Sequence, residues 1–159
     1  MNRLLAVGAL ALLAAIAASA PAGARSSHRH HAAPGPTAVG RPGQLQYVLI
    51  DDHDPRRLER AARTARDLAA AHQVKEFRIV LLGPAVLLAI PGSNIVQKEV
   101  EGIVRRYPAI HLVVCREVVD ALAKAAHRRP PLLPGTQVLT CNGLGGLMNK
   151  GGWEPVPGL

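Results

Sequence analysis

The residues of this chain best suited to covalent chemistry are its two cysteines, Cys115 and Cys141, which stand 26 positions apart. Cys115 closes the apolar run "IHLVV" and opens the helical pattern "REVVDALAKAAH". A thiol just ahead of a helix N-terminus meets the positive end of the helix dipole, which favours thiolate over thiol. Arg116 would add to that field and Glu117 would oppose it. Two other readings of Cys115 stand beside the reactive one: a small buried hydrophobe, the commonest fate of a free cysteine, or one half of a disulfide with Cys141. Strand spacing near ~4.8 Å falls within the Cα range of a disulfide, so the bond depends on whether the two strands are neighbours and in what register. Position at a strand end points to a partly exposed thiol at Cys115, whereas local sequence alone points to a buried Cys141. The glycines of "TCNGLGG" permit close approach of another backbone or ligand.

His53, in "DDHDP", has the chemistry of a proton acceptor for a nearby thiol, and equally that of a turn residue bonding to its own backbone. His28, His30 and His31 form a short histidine tract of the kind that captures copper or zinc, with Met148 as a further soft donor. Without a fixed geometry around it, the tract reads first as a solvated tail that binds metal adventitiously. The chain has no G-x-S-x-G, Walker-type loop, H-E-x-x-H or C-x-x-C. Their absence argues against the hydrolase, nucleotide-phosphate, zinc-protease and thioredoxin-type readings, and no cofactor is expected.

Arg3 followed by the small and apolar run Leu4 to Ala18 reads as a secretory signal peptide. Cleavage after Ala24 is expected, because a cut after Ala20 would leave Pro21 next to the scissile bond. The expected organisation is thus a signal peptide over 1–24, a flexible His/Pro/Gly-rich linker over 25–43 and one α/β domain over 44–159. Such a chain would be periplasmic or secreted, without a stable membrane anchor after cleavage. Two cysteines are too few for a disulfide scaffold, so the domain must hold together by an aliphatic core. A net charge of +8 outside the cytoplasm suits anionic lipid, glycan or an acidic partner. Nucleic acid is not expected, since Arg56, Arg57, Arg60, Arg63 and Arg66 are interleaved with acids along one helix and with no aromatic for base stacking.

The elements that must position the cysteines alternate in period. "QYVLI" (Gln46 to Ile50) reads as a buried strand. Asp54 is an N-cap and Pro55 a first helical residue, and Leu58, Ala61, Ala62, Ala65, Leu68 and Ala69 give one apolar stripe on a helix to about Ala71. "FRIVLL" (Phe77 to Leu82) is the second strand, and a helix follows Pro91-Gly92 with Asn94 and Gln97 at capping-box spacing. Its buried face is Val96, Val100, Ile103 and Val104. "IHLVV" (Ile110 to Val114) is the third strand, followed by a helix with the stripe Val118, Val119, Leu122, Ala125 and Ala126. "QVLTC" (Gln137 to Cys141) is the fourth, and "GLGG" at Gly143 to Gly146 reads as a flexible loop. Strands apolar on both faces and separated by helices make an α/β fold, a mainly parallel sheet with helices on both faces and right-handed crossovers. Ligands of such sheets bind beyond the carboxyl ends of the strands. Both cysteines and the "DDHD" turn stand there, while His111, which opens its strand, belongs at the opposite rim.

In this order and spacing the chain resembles the DsrE/DsrF-like family, in particular its exported single-domain members. The likeness spans roughly Gln44 to Val156. It rests on "DDHDPRRL" after the first strand, "VLLGPAVLLAI" after the second, "HLVVC" ending in cysteine, "LLPGTQVL" before the fourth strand, and the pair Gly152-Trp153. The resemblance implies a flavodoxin-like subunit that assembles into homo-oligomers, and a cysteine that carries sulfur as a persulfide between partners. Only Cys115 matches that sulfur-carrying position. The chain departs from the family pattern in the Arg116-Glu117-Val118 that follows it and in Cys141, where a small residue is usual.

The expectation is an exported sulfur-relay or thiol-redox carrier. Cys115 would be its persulfide or mixed-disulfide site, Cys141 the resolving thiol and His53 a proton acceptor. The donor or acceptor would be a sulfur protein or a small sulfur compound, and whether the chain turns over as a sulfurtransferase-like enzyme is left open. Two other classes stand beside this one: a non-catalytic binding or assembly module with structural cysteines, and a metal-handling protein acting through the histidine tract.

Overall fold

Asp54 starts the first helix as its type predicts: the carboxylate accepts the Arg56 backbone N–H at 2.9 Å, and Pro55 occupies the first turn. The computed structural model describes residues 43–159, so the expected signal peptide and the histidines at 28, 30 and 31 lie outside the described residues. Over that range the chain runs β1 (Leu45–Ile50), α1 (Pro55–Ala70), β2 (Glu76–Leu81), a 3-10 segment (Gly83–Ala89), α2 (Gln97–Arg106), β3 (Ile110–Cys115), α3 (Arg116–Ala126), β4 (Gln137–Leu139), α4 (Leu144–Lys150) and β5 (Trp153–Pro155). All the strand pairings are parallel, in the order β4-β3-β2-β1-β5. The α/β class and the flavodoxin-like, helix-covered parallel sheet are as the alternating periods require.

The direction of travel decides which face each helix covers. From β1 to β4 every step goes the same way across the sheet, so right-handed crossovers put α1, α2 and α3 on one face. There the α1 stripe of Leu58, Ala61, Ala65 and Leu68 is buried against Val48, Ile50, Ile79, Leu81, Leu112 and Val114. The step from β4 to β5 runs back past β1, and the same handedness carries α4 to the opposite face. Leu144 and Met148 of α4 pack there with Tyr47, Val80, Val113 and Trp153. Side chains alternate between faces along a strand, so Cys115, two residues past Val113, belongs to the α4 face.

Four local expectations are corrected. "GLGG" is not a loop: Gly145 and Gly146 lie inside α4, where burying Leu144 and Met148 one turn apart outweighs roughly 1 kcal/mol of helix propensity lost at each glycine. Met148, 2 % exposed, is therefore a core residue and no metal donor at the surface. The stripe on α3 is buried only at Val119, with Val118 and Leu122 half-buried and Ala125 and Ala126 exposed, because the strand it leads into, β4, is a short strand at the sheet edge. Asn94 and Gln97 form no capping box; Val96 stands at the N-cap without a side-chain bond. Instead Gln97, buried, accepts the Gly92 N–H at 2.7 Å and donates to the carbonyls of Leu88 at 2.9 Å and Ile90 at 2.5 Å. β5 carries too little pattern to be read beforehand: it has three residues, and Pro155 is accommodated because the strand is at the sheet edge.

Gln97→Ala removes these three bonds and a fourth to Ser93 Oγ at 2.8 Å, leaving the 84–96 connection without its brace. The expected loss is about 2–3 kcal/mol of stability, read as a lower urea midpoint with an unchanged slope.

Candidate functional site

Cys115 ends β3 and is at once the N-cap of α3, so the strand-to-helix junction falls on the thiol itself. In the parallel register Cys115 lies beside Leu139, the last residue of β4, and Cys141 follows two residues later on the same face. That brings the two Cα atoms to 5.3 Å, and the sulfurs are bonded to each other. Of the readings open at Cys115, the disulfide is the one adopted, and the expected partly exposed thiol is corrected: Cys115 is 3 % exposed, while Cys141 is half-buried. Burial follows from the register, because the α4 face of β3 is closed by the residues after β4.

A residue given only a minor part by the sequence holds this geometry in place. The Glu117 carboxylate, in the first turn of α3, accepts the Cys141 N–H at 3.1 and 3.2 Å through its two oxygens. On its other side, the Cys141 carbonyl accepts the Leu144 N–H at 2.9 Å across a turn whose Gly143 sits at φ +72°, a conformation side chains disfavour. Cys141 is thus pinned through both backbone groups. The bonds to Glu117's own N–H, then to those of Cys141 and Asn142, hold its carboxyl below the ordinary 4.5. The signal for this role was the Cys-x-Glu spacing at a helix start, which aims a carboxylate past the thiol. What it would meet there depended on the route of a chain segment 24 residues away. Arg116 donates to the Val138 carbonyl at 3.4 Å, bracing β4.

His53 is on the same rim as the sulfurs but is not brought to them. It is exposed in the turn after β1, and β2 lies between β1 and β3, a separation of roughly 10 Å at the usual strand spacing. It stands instead beside the topological switch point between β1 and β5. There Arg57 bridges Asp52 at 2.6 Å and Asp51 at 3.3 Å, and donates to the backbone oxygens of Leu49 and Leu159. The arginine-rich face of α1 is largely spent in such pairs, Arg63 with Glu59 and Glu99 and Arg66 with Asp67, as its interleaved acids imply. His111 lies near the opposite rim, its Nδ1 3.0 Å from Gln137 Nε2 and its Nε2 3.6 Å from Glu76. Surface clefts of about 420 and 380 Å³ run along α2, and neither is lined by a cysteine.

No family model matches the chain, and no curated protein does. Solved structures do. MTH1491 from Methanobacterium thermoautotrophicum, a protein of unknown function, is similar over 72 % of this chain and 97 % of its own, at 17 % identity with a TM-score of 0.57. The ychN protein from E. coli is similar over 70 % of this chain and 96 % of its own, at 16 % identity with a TM-score of 0.54. At these identities the likeness is one of fold, and at that level the chain has the DsrE-like form of the flavodoxin-like sheet.

Closing a loop of this length by a covalent bond restricts the unfolded chain by about 3.5 kcal/mol in the chain-entropy model. Reduction, or Cys115→Ala with Cys141→Ala, is expected to lower the stability by up to about that amount, read from urea unfolding of the oxidised and reduced proteins. Glu117 adds a pH dependence. A carboxyl held lower when folded contributes above its unfolded value, and that contribution fades as pH falls through the folded value. Amide exchange at Cys141, corrected for the intrinsic rate, should therefore speed up below about pH 4.5, and Glu117→Gln should abolish that change.

Proposed function

We propose that this chain is an exported thiol carrier that cycles between the Cys115–Cys141 disulfide and a reduced form in which Cys115 accepts sulfane sulfur. The observation that carries the reading is the bond between these two sulfurs, at the carboxyl rim of a DsrE-like sheet and at the N-terminus of α3. In the reduced form the helix dipole favours the Cys115 thiolate, which takes the outer sulfur of a persulfide or polysulfide, R–S–S⁻, and releases R–S⁻. The Cys141 thiol then attacks Cys115 Sγ, forming the disulfide and expelling hydrosulfide, which takes up the Cys141 proton. A dithiol reductant resets the pair by exchange, becoming a disulfide itself.

In this cycle the bonded state is the discharged one, and Cys141, which the family pattern lacks, is what ends the persulfide's life on the protein. His53 has no part in it; the proton that moves is that of Cys141 itself. The homo-oligomer implied by the family resemblance belongs to the same proposal, with the half-buried Leu49, Leu82 and Leu139 on the α4 face as its apolar contact.

A second reading is favoured by the burial of Cys115 and by the carboxylate beside Cys141: a binding or assembly module whose disulfide is only structural. The two separate on reduction. The native protein, treated with a dithiol, freed of it and given polysulfide, is expected to gain a mass of sulfur in a Cys141→Ser variant, where the adduct cannot be resolved. Wild type should release hydrosulfide and return to the oxidised mass, and Cys115→Ala should do neither. A bond that stays closed under native reduction, or an adduct that persists in Cys115→Ala, overturns the carrier reading in favour of the module.

A further inference from the structure

The sulfurs of Cys115 and Cys141 and a carboxylate oxygen of Glu117 all lie within 4.8 Å of one another. While the bond is closed these are one neutral disulfide and one anion. Once it opens they are two thiols and a carboxylate held together by the fold, since Glu117 is fixed by backbone N–H groups and Cys141 by the turn at Gly143. Ionising both thiols beside that carboxylate would place three negative charges within 4.8 Å of one another, against the roughly half positive charge of the N-terminal end of α3 and the neighbouring Arg116. A divalent cation offsets two of the three, and the helix end part of the third.

We propose that the reduced protein binds one thiophilic divalent cation of the zinc class through Cys115 Sγ, Cys141 Sγ and a Glu117 carboxylate oxygen. Two thiolates and one carboxylate are a donor set suited to zinc, which binds sulfur at about 2.3 Å and carboxylate oxygen at about 2.0–2.2 Å in a tetrahedron. Two sulfurs on one such ion stand about 3.8 Å apart, so opening the bond and turning the side chains is enough to reach it; the Cα separation of 5.3 Å need not change. Three protein ligands leave the fourth position to water. The cation and the disulfide exclude each other, because the ion needs two free thiolates. Binding releases the two thiol protons, and exchange with a small disulfide, which takes the pair's two electrons and leaves as two thiolates, restores the Cys115–Cys141 bond and expels the ion.

Such a site makes metal retention follow the redox state of the surroundings, and its ligand set does not draw on the histidine tract at 28–31. It shares with the carrier reading only the requirement that the bond opens in the folded protein, and the experiment keeps the two apart. The full chain is reduced with a dithiol, freed of it without air, assayed for thiols and titrated with Co²⁺. The expected result is two thiols, one equivalent of cobalt bound with a thiolate-to-cobalt charge-transfer band, and loss of that band on adding Zn²⁺. Histidine-bound cobalt gives no such band. Glu117→Gln retains an oxygen acceptor for the Cys141 amide and removes the charge, so it should still form the disulfide in air yet bind cobalt at least about tenfold more weakly. Two thiols without the band, or a band of unchanged affinity in Glu117→Gln, overturns the metal site and leaves the carrier standing. Thiols that never appear overturn both.

Discussion

The handedness of the crossover is the constraint from which the rest of this molecule follows. Three right-handed steps in one direction stack α1, α2 and α3 on one face of the sheet, and the single reversed step after β4 must carry the chain to the other face. That reversal folds the segment 140–144 over the ends of β3 and β4, and so brings Cys141 against Cys115. It also creates the second, smaller core, in which Leu144, Met148 and Trp153 are buried against Tyr47, Val80 and Val113. Arg78 stacks over the Trp153 ring at 4.2 Å and pairs with Glu76, which ties β5 to the sheet by polar as well as apolar contacts.

The same reversal separates two sites that a strand-end rule would merge. In open parallel sheets the crevice forms where the strand order changes direction, here between β1 and β5, and in this molecule Arg57, Asp51 and Asp52 form ion pairs there. The cysteines are at the far side of the rim, at the β3–β4 pair, where no crevice is required and a covalent bond closes the surface. The pair therefore depends on strand register and a helix start.

Glu117 gives the site its electrostatic character. A helix start alone would favour thiolate at Cys115, the reading drawn from position, but a carboxylate held ionised by three backbone N–H groups stands beside the same sulfurs. Its negative charge lies against whatever charge the sulfurs would carry, and the bond between them leaves them neutral. Helix dipole and carboxylate thus act with opposite sign across one turn of α3.

The sequence by itself determined the parallel α/β sheet, the N-cap of α1, four of the five strands and the placing of both cysteines at one rim. These follow from periods of about two and 3.6 residues and from local capping chemistry, which are legible without knowing what a segment packs against. Tertiary structure decided what depends on a distant partner. It chose the disulfide for Cys115, because register is a relation between strands; it turned "GLGG" into α4, because burial of Leu144 and Met148 overrides glycine propensity. It moved Gln97 from an expected cap to a brace for the preceding loop and left His53 beside the other crevice. Glu117 shows the difference most directly: its spacing from Cys115 was visible along the chain, and its partner came from beyond the next strand, where only the closed fold brings it within hydrogen-bond reach.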